Sequence, residues 1–193
     1  PTRRSSDLGY QQSYKDKGFN VKFKLKEQGR LPALAIGLND FAGTGIYSSE
    51  YIVSSYGINN VDFHVGMGWG QLSGDPNLKN PLSYLSDSFN NRPVKATNQG
   101  GSFNPDQYFS GSRASHFYGI SYKYNNNLFL NFEKDPTKIN GPKMPYPDKE
   151  HQYSYGLNYK INNNFNIGLS YERGSYFSLR VNYKNNPKAS RKK

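Results

Sequence analysis

The feature that most constrains this chain is strict alternation. From Tyr153 to Ile161, the residues Tyr153, Tyr155, Leu157, Tyr159 and Ile161 share one side of an extended strand, while Gln152, Ser154, Gly156, Asn158 and Lys160 share the other. A helix would scatter those residues around its axis; a β-strand sorts them into an oily face and a wet face. Asn162 to Asn164 then turn the chain into Phe165, Ile167, Leu169 and Tyr171, which alternate with Asn166, Gly168, Ser170 and Glu172. Arg173, Gly174 and Ser175 lead into Phe177, Leu179, Val181 and Tyr183 against Ser178, Arg180, Asn182 and Lys184. Asn and Gly tolerate the positive φ that tight turns demand, so three hairpin-linked strands are predicted here.

The pattern recurs upstream. Val21, Phe23 and Leu25 alternate with Lys22, Lys24 and Lys26; Leu34, Ile36 and Leu38 follow a turn around Gly29; Ile46 to Ser55 alternates less cleanly. Val61, Phe63, Val65, Met67 and Trp69 oppose Asp62, His64, Gly66, Gly68 and Gly70, and two further strands carry Tyr118, Ile120, Tyr122 and Tyr124, then Leu128, Leu130 and Phe132. The chain therefore reads as all-β, an antiparallel up-and-down meander of about nine strands. Tyr118, Gly119, Tyr122, Lys123 and Asn125 to Asn127 recur 37 positions later as Tyr155, Gly156, Tyr159, Lys160 and Asn162 to Asn164, a repeated strand-and-turn recipe.

Connection lengths add what alternation cannot. The short connections, Glu27 to Arg30, Tyr56 to Asn60, Asn125 to Asn127 and Asn162 to Asn164, fall at one end of such a meander. Leu72 to about Ser115 and Asp135 to Glu150, both long, fall at the other. Short turns at one rim and long loops at the opposite rim are the asymmetry of an outer-membrane β-barrel, and strands of about eight to eleven residues suit a tilted crossing of a hydrocarbon layer. This divides the chain into a lead-in over 1–17, a barrel region over 18–184 and a basic tail over 185–193.

Composition favours the barrel over a soluble β-sandwich. Aromatic residues, Tyr 17, Phe 12 and Trp 1, are 16% of the 193 residues and nearly half of the hydrophobic 34%. Sandwich interiors favour Val, Ile and Leu, whereas a lipid-facing band uses Tyr, Trp and Phe, whose polar edges meet headgroups. No stretch approaches the roughly 18–20 apolar residues of a membrane-spanning helix. The absence of cysteine excludes disulfides and thiolate chemistry. An odd strand count leaves open edges that lipid would penalise by several kcal/mol per unpaired group, so the chain is expected to be part of a larger barrel.

Little in the sequence points to catalysis. His64, His116 and His151 lack metal-ligand spacing, so neither a metal nor a cofactor is expected. The segment Gly66 to Gly70 (GMGWG) places glycines on every second strand position with no helix after them, which is not a phosphate cradle; such glycines relieve crowding or let something approach the wall. The formal charge of +11 has three readings. Nucleic-acid binding would need clustered basic residues with aromatics free to stack, and here the aromatics form a continuous face. The tail with Lys188, Arg191, Lys192 and Lys193 reads as a solvated terminus. Inward-facing Lys22, Lys24, Lys26, Lys123, Lys160, Arg180 and Lys184, set against Asp62, Glu133 and Glu172, would attract polyanions such as acidic sugars, or pair with those acids to fill a narrow lumen.

Several segments together resemble the YjbH family of exopolysaccharide biosynthesis proteins: Lys15 to Leu25 (KDKGFNVKFKL), Leu31 to Tyr51 (LPALAIGLNDFAGTGIYSSEY), Val65 to Gly70 (VGMGWG), Tyr108 to Arg113 (YFSGSR) and Leu169 to Gly174 (LSYERG). The resemblance implies a large outer-membrane lipoprotein of a Gram-negative bacterium, with β-barrel regions, linked to production or export of extracellular polysaccharide. It supplies no catalytic residues. Family members carry strands before the position of Lys15 and a further region after Tyr183, so truncation relative to the family is expected. Asp40, Gly43, Thr44, Gly45 and Glu50 stand at the family motif; Asp40, Gly43, Thr44 and Gly45 are expected to build a turn, with Glu50 a charged residue within a strand.

The expected function is thus a non-enzymatic outer-membrane barrel region that helps an exopolysaccharide reach the surface. Lys22, Lys24, Glu50, His64, Trp69 and Arg180 are the candidates for lining the path, with an interface anchor as the alternative role for Trp69 because it lies on the apolar-patterned face. The implied partners are outer-membrane lipid, an acidic exopolysaccharide and other polysaccharide export proteins, with no nucleic acid. The alternative is a surface adhesin or scaffold whose long loops bind polysaccharide over a plugged lumen. A third reading, an outer-membrane enzyme acting on lipid or glycan through His64, has no independent sequence support.

Overall fold

The structure, a computed structural model, describes residues 18–43, 45, 47–74, 77–93, 104–138 and 150–185. Thr44 of the expected turn, the lead-in over 1–17 and the tail beyond 185 lie outside the described residues.

Ten strands form one antiparallel sheet: β1 (Phe19–Lys26), β2 (Ala33–Phe41), β3 (Ser49–Ile58), β4 (Val61–Gly70), β5 (Asn77–Lys79), β6 (Arg113–Lys123), β7 (Leu128–Lys134), β8 (Tyr153–Lys160), β9 (Phe165–Glu172) and β10 (Tyr176–Tyr183). Their order is β1-β2-β3-β4-β6-β7-β8-β9-β10, with β5 paired to β6 off that path. Apart from β5, each strand pairs with the next along the chain, so the fold is the meander that alternation implied. The extra strand, β5, comes from within the first long connection and spans three residues, too few to show a period. It pairs with the start of β6 at Ser115, where β4 also ends its pairing opposite Gly68. The sheet is not closed: among the described residues β1 and β10 each keep an unpaired edge.

The turns explain themselves chemically. Asn125 Oδ1 accepts from the backbone N–H of Asn127 and Leu128, each at 2.8 Å, and Asn162 Oδ1 accepts from Asn164 at 2.8 Å and Phe165 at 2.9 Å. The same side-chain-to-backbone device, an Asx turn, thus closes both copies of the 37-residue repeat. Between β3 and β4, Asn59 takes φ 53°, the left-handed conformation a two-residue hairpin needs. Arg173 (φ 56°) and Gly174 (φ 79°) do the same between β9 and β10.

Pairing registers fix the two faces. One row runs Phe63, Ile120, Phe132, Tyr155, Tyr171, Phe177 across β4 to β10. The next runs Val61, Tyr122, Leu130, Leu157, Leu169, Leu179, and a third runs Leu128, Tyr159, Ile167, Val181. The opposite face carries His64, Gly119, Glu133, Ser154 and Glu172 in one row and Asp62, Ser121, Asn131, Gly156, Ser170 and Ser178 in the next.

Among the described residues, nothing forms a dry centre over those apolar rows. Among the described residues four hydrophobic side chains are buried, Ala35, Val53, Trp69 and Ala114, whereas twenty-four large hydrophobic ones are exposed. A β-sandwich would place the tyrosine and leucine rows between two layers, and here a single layer leaves them bare.

Candidate functional site: the polar face and the sealed rim

The long connection between β4 and β6 folds back over the rim through two buried polar anchors. The first is Glu50, fully buried on β3. Arg92 grips it with two bonds, Nη2 to Oε1 at 2.7 Å and Nη1 to Oε2 at 2.8 Å, and the Phe109 backbone N–H donates to Oε2 at 3.0 Å. Arg92 Nη2 also donates to Ser48 Oγ at 2.9 Å, and Nη1 to the Ser110 carbonyl at 3.3 Å. A planar guanidinium suits this bidentate, enclosed geometry where an ammonium would not. Gly70, at φ +64°, lies under the same contact: a Cβ there would collide with the Ser48 carbonyl and the Arg92 guanidinium.

The second anchor is Asn80. Its Oδ1 accepts from the Trp69 indole N–H at 2.8 Å and from the Leu82 backbone at 3.0 Å, while its Nδ2 donates to the carbonyls of Phe109 and Gly111, both at 2.9 Å. Phe109 closes on Trp69 edge to face, ring centroids 5.2 Å apart. Tyr108 stacks on Phe41 at 6.0 Å. Its phenol is held above the ordinary value, foremost by burial, with a backbone hydrogen bond at Ala42 working the other way.

The polar face is open by comparison. A cavity of about 510 Å³ is lined by Lys22, Asn39, Tyr51, Ser55, His64 and Phe117 among others. His64 Nδ1 meets Ser55 Oγ at 3.0 Å. A second recess of about 210 Å³ gathers Asn131, Glu133, Ser154, Asn158, Glu172 and Arg180. Beside the rim, Arg173 pairs with Asp135 at 3.2 Å and donates to the Thr137 carbonyl at 2.6 Å.

The structure therefore distributes the candidate lining residues unevenly. Lys22 and His64 meet at the larger cavity and Arg180 sits in the second recess. Lys24, on β1, lines neither and pairs at 2.5 Å with the exposed Glu27 just past the strand's end. Glu50 and Trp69 need correcting as path-lining residues: they are cross-strand partners on the apolar-patterned side, 0% and 2% exposed beneath the folded-back loop. For the same reason Trp69 is no interface anchor, since its N–H is committed to Asn80. A carboxylate on an apolar face needs a buried cation, and Arg92 supplies it. In the β2–β3 turn, Asp40 takes φ 50° and Gly45 φ 78°, Gly43 N–H donates to the Asp40 carbonyl at 3.4 Å, and Tyr47 N–H donates to Asp40 Oδ2 at 3.2 Å. Arg92, Asn80, Tyr51 and Phe117 are residues that pattern reading passed over. The one available signal was the aromatic pair, Tyr51 and Phe117, standing at polar-face positions beside alternate glycines.

Comparison with known proteins converges on one family. The model of the YjbH family, described as exopolysaccharide biosynthesis protein YbjH, matches residues 2–193. The chain belongs to the YjbH family. A relative from Escherichia coli (strain K12), named uncharacterized lipoprotein YjbH, is 34% identical over 177 residues, covering 91% of this chain. The chain spans 25% of that relative's length. No solved structure matches. Membership places the chain in an exopolysaccharide biosynthesis family, the context in which its two faces gain meaning.

Proposed function

We propose that this chain is part of the wall of an outer-membrane β-barrel that takes part in exopolysaccharide production or export and performs no covalent chemistry itself. The observation that carries the reading is the layering of the exposed apolar face. Tyr118, Phe132, Tyr153, Tyr155, Tyr171 and Phe177 lie toward the long-loop rim, and Tyr124, Tyr159, Phe165 and Tyr183 toward the short-turn rim. Between them runs a row of Val61, Leu130, Leu157, Leu169 and Leu179 with Tyr122 as its one aromatic member. Two aromatic girdles around an aliphatic belt match the two interfaces and hydrocarbon centre of a bilayer. Tyr153 to Ile161 advances about 27 Å along the strand at roughly 3.4 Å per residue, and a tilt of about 40° reduces this to about 21 Å, near the roughly 25 Å apolar band of such barrels.

Solubility considerations agree. Nine aromatic side chains of this face are between 37% and 88% exposed, from Tyr153 to Phe177. At about half of the 150–250 Å² such a side chain can bury, they present on the order of 900 Å². Water-soluble monomers seldom expose a contiguous apolar patch beyond about 300–600 Å². In the whole protein, further strands pair with the free edges of β1 and β10, because open backbone groups in lipid cost several kcal/mol each. The lipoprotein name of the Escherichia coli relative supports membrane association, and the +11 charge supports an acidic polymer as partner alongside other export proteins.

Single-channel recording of the complete protein in a planar bilayer tests the conduit. Discrete conductance steps that an added acidic polysaccharide blocks from one side support it. An electrically silent, correctly inserted protein at both polarities contradicts it and favours a plugged scaffold that binds polymer at the long-loop rim.

A further inference from the structure

The VGMGWG segment has a structural purpose that its glycines alone did not disclose. Tyr51 on β3 stands opposite Gly37 on β2 and Gly68 on β4, and Phe117 on β6 stands opposite Gly66 on β4. Each ring lies across a glycine: a Cβ at Gly37 would collide with the Tyr51 ring, and one at Gly66 with the Phe117 ring and the Ile52 carbonyl. With Tyr51 lying over β2 and Phe117 over β4, the rings meet edge to face, centroids 6.1 Å apart and planes at 82°. On the polar face, which is mostly Gly, Ser, Asn and charged residues, Tyr51 and Phe117 thus form a paired aromatic floor to the 510 Å³ cavity, beside Val53.

We propose that Tyr51 and Phe117 form a stacking platform for a neutral hexopyranose unit of a polysaccharide. A pyranose ring presents one face of C–H bonds and a rim of hydroxyls. The C–H face matches the electron-rich surface of an aromatic ring, and the hydroxyls need hydrogen-bonding groups around it. Asn39, Ser55, His64 and Lys22 line the same cavity, whose volume lies within the roughly 300–1,000 Å³ of small-molecule sites. Of the charged residues at its wall, Lys134 commits its ammonium to His116 and the Tyr118 ring and Asp135 is paired with Arg173, which leaves Lys22 against Glu133, so this subsite selects an uncharged sugar even though the chain as a whole is basic. The platform depends on the reading of the polar face as an interior surface.

The test uses the complete protein in lipid nanodiscs, with maltoheptaose and laminarihexaose as neutral probes and hexagalacturonate as the acidic one. Saturation-transfer NMR with irradiation of the aromatic protons is expected to mark the ring C–H protons of a neutral probe. Phe117→Leu, which keeps the volume and removes the π face, weakens that binding at least tenfold, whereas Tyr51→Phe keeps it. Transfer to neither neutral probe, transfer unchanged in Phe117→Leu, or preference for hexagalacturonate overturns the platform. Heat-modifiable migration of the same preparations reports barrel insertion separately, so loss of sugar contact in an inserted protein sinks the platform and leaves the barrel reading standing.

Discussion

Replacing Arg92 with Ala should release the rim loop well before it disturbs the sheet. The substitution removes both bonds to Glu50, at 2.7 and 2.8 Å, and leaves that fully buried carboxylate with the Phe109 N–H as its remaining donor. Breaking a buried ion pair by deleting one partner costs about 3–5 kcal/mol, because the stranded charge has lost its hydration and gained nothing in exchange. Glu50 recovers water only if the loop lifts, so the cost appears as local opening rather than global unfolding. At about 1.4 kcal/mol per factor of ten, the opening constant rises by roughly two to three and a half powers of ten.

Hydrogen exchange on the folded, lipid-inserted protein reads this directly. The reporters are the Asn80 N–H, which donates to the Ser112 carbonyl at 3.0 Å, and the Gly111 N–H, which donates to the Phe89 carbonyl at 3.0 Å. Their exchange should accelerate by that factor while amides of the β8–β9–β10 hairpins stay unchanged. The double variant Glu50→Leu/Arg92→Leu, which strands no charge, should recover most of the protection. Exchange in Arg92→Ala within about threefold of the parent, or a double variant as open as the single one, would refute the latch.

Two further substitutions probe the same architecture. Asn80→Ala strands the Trp69 N–H and the carbonyls of Phe109 and Gly111, each a buried group whose lost bond costs about 1–3 kcal/mol, and the fluorescence of this lone tryptophan should shift to the red as water enters. Gly66→Ala drives a methyl into the Phe117 ring and the Ile52 carbonyl and should lower thermal stability by about 1–3 kcal/mol, whereas Gly29→Ala, with nothing near its added Cβ, should be neutral in the same melt.

The strands were legible in the sequence because a period of two survives without any knowledge of partners, and the turns because Asn125, Asn162 and Gly174 carry their conformations locally. The rim was not. Glu50 and Trp69 looked like members of a patterned strand face, and their true surroundings come from residues as distant as Arg92, 42 positions away, and Asn80 within a loop that shows no periodic pattern. β5 was invisible because three residues cannot display a period. The Tyr51–Phe117 floor was half legible: alternate glycines on β4 announced that something approaches the wall, but only the cross-strand register shows that the approaching groups are the protein's own rings.

The central claim is that the tyrosine and leucine rows touch acyl chains. The 193 residues contain no cysteine, so single nitroxide labels can be introduced one at a time from 155 to 159 and from 167 to 171 in protein reconstituted into lipid vesicles. Collision with oxygen, concentrated in the bilayer, against collision with a water-soluble nickel chelate should oscillate with period two, oxygen dominating at 155, 157, 159, 167, 169 and 171. Labels at those positions shielded from both reagents would place the rows in a dry protein interior and contradict the account.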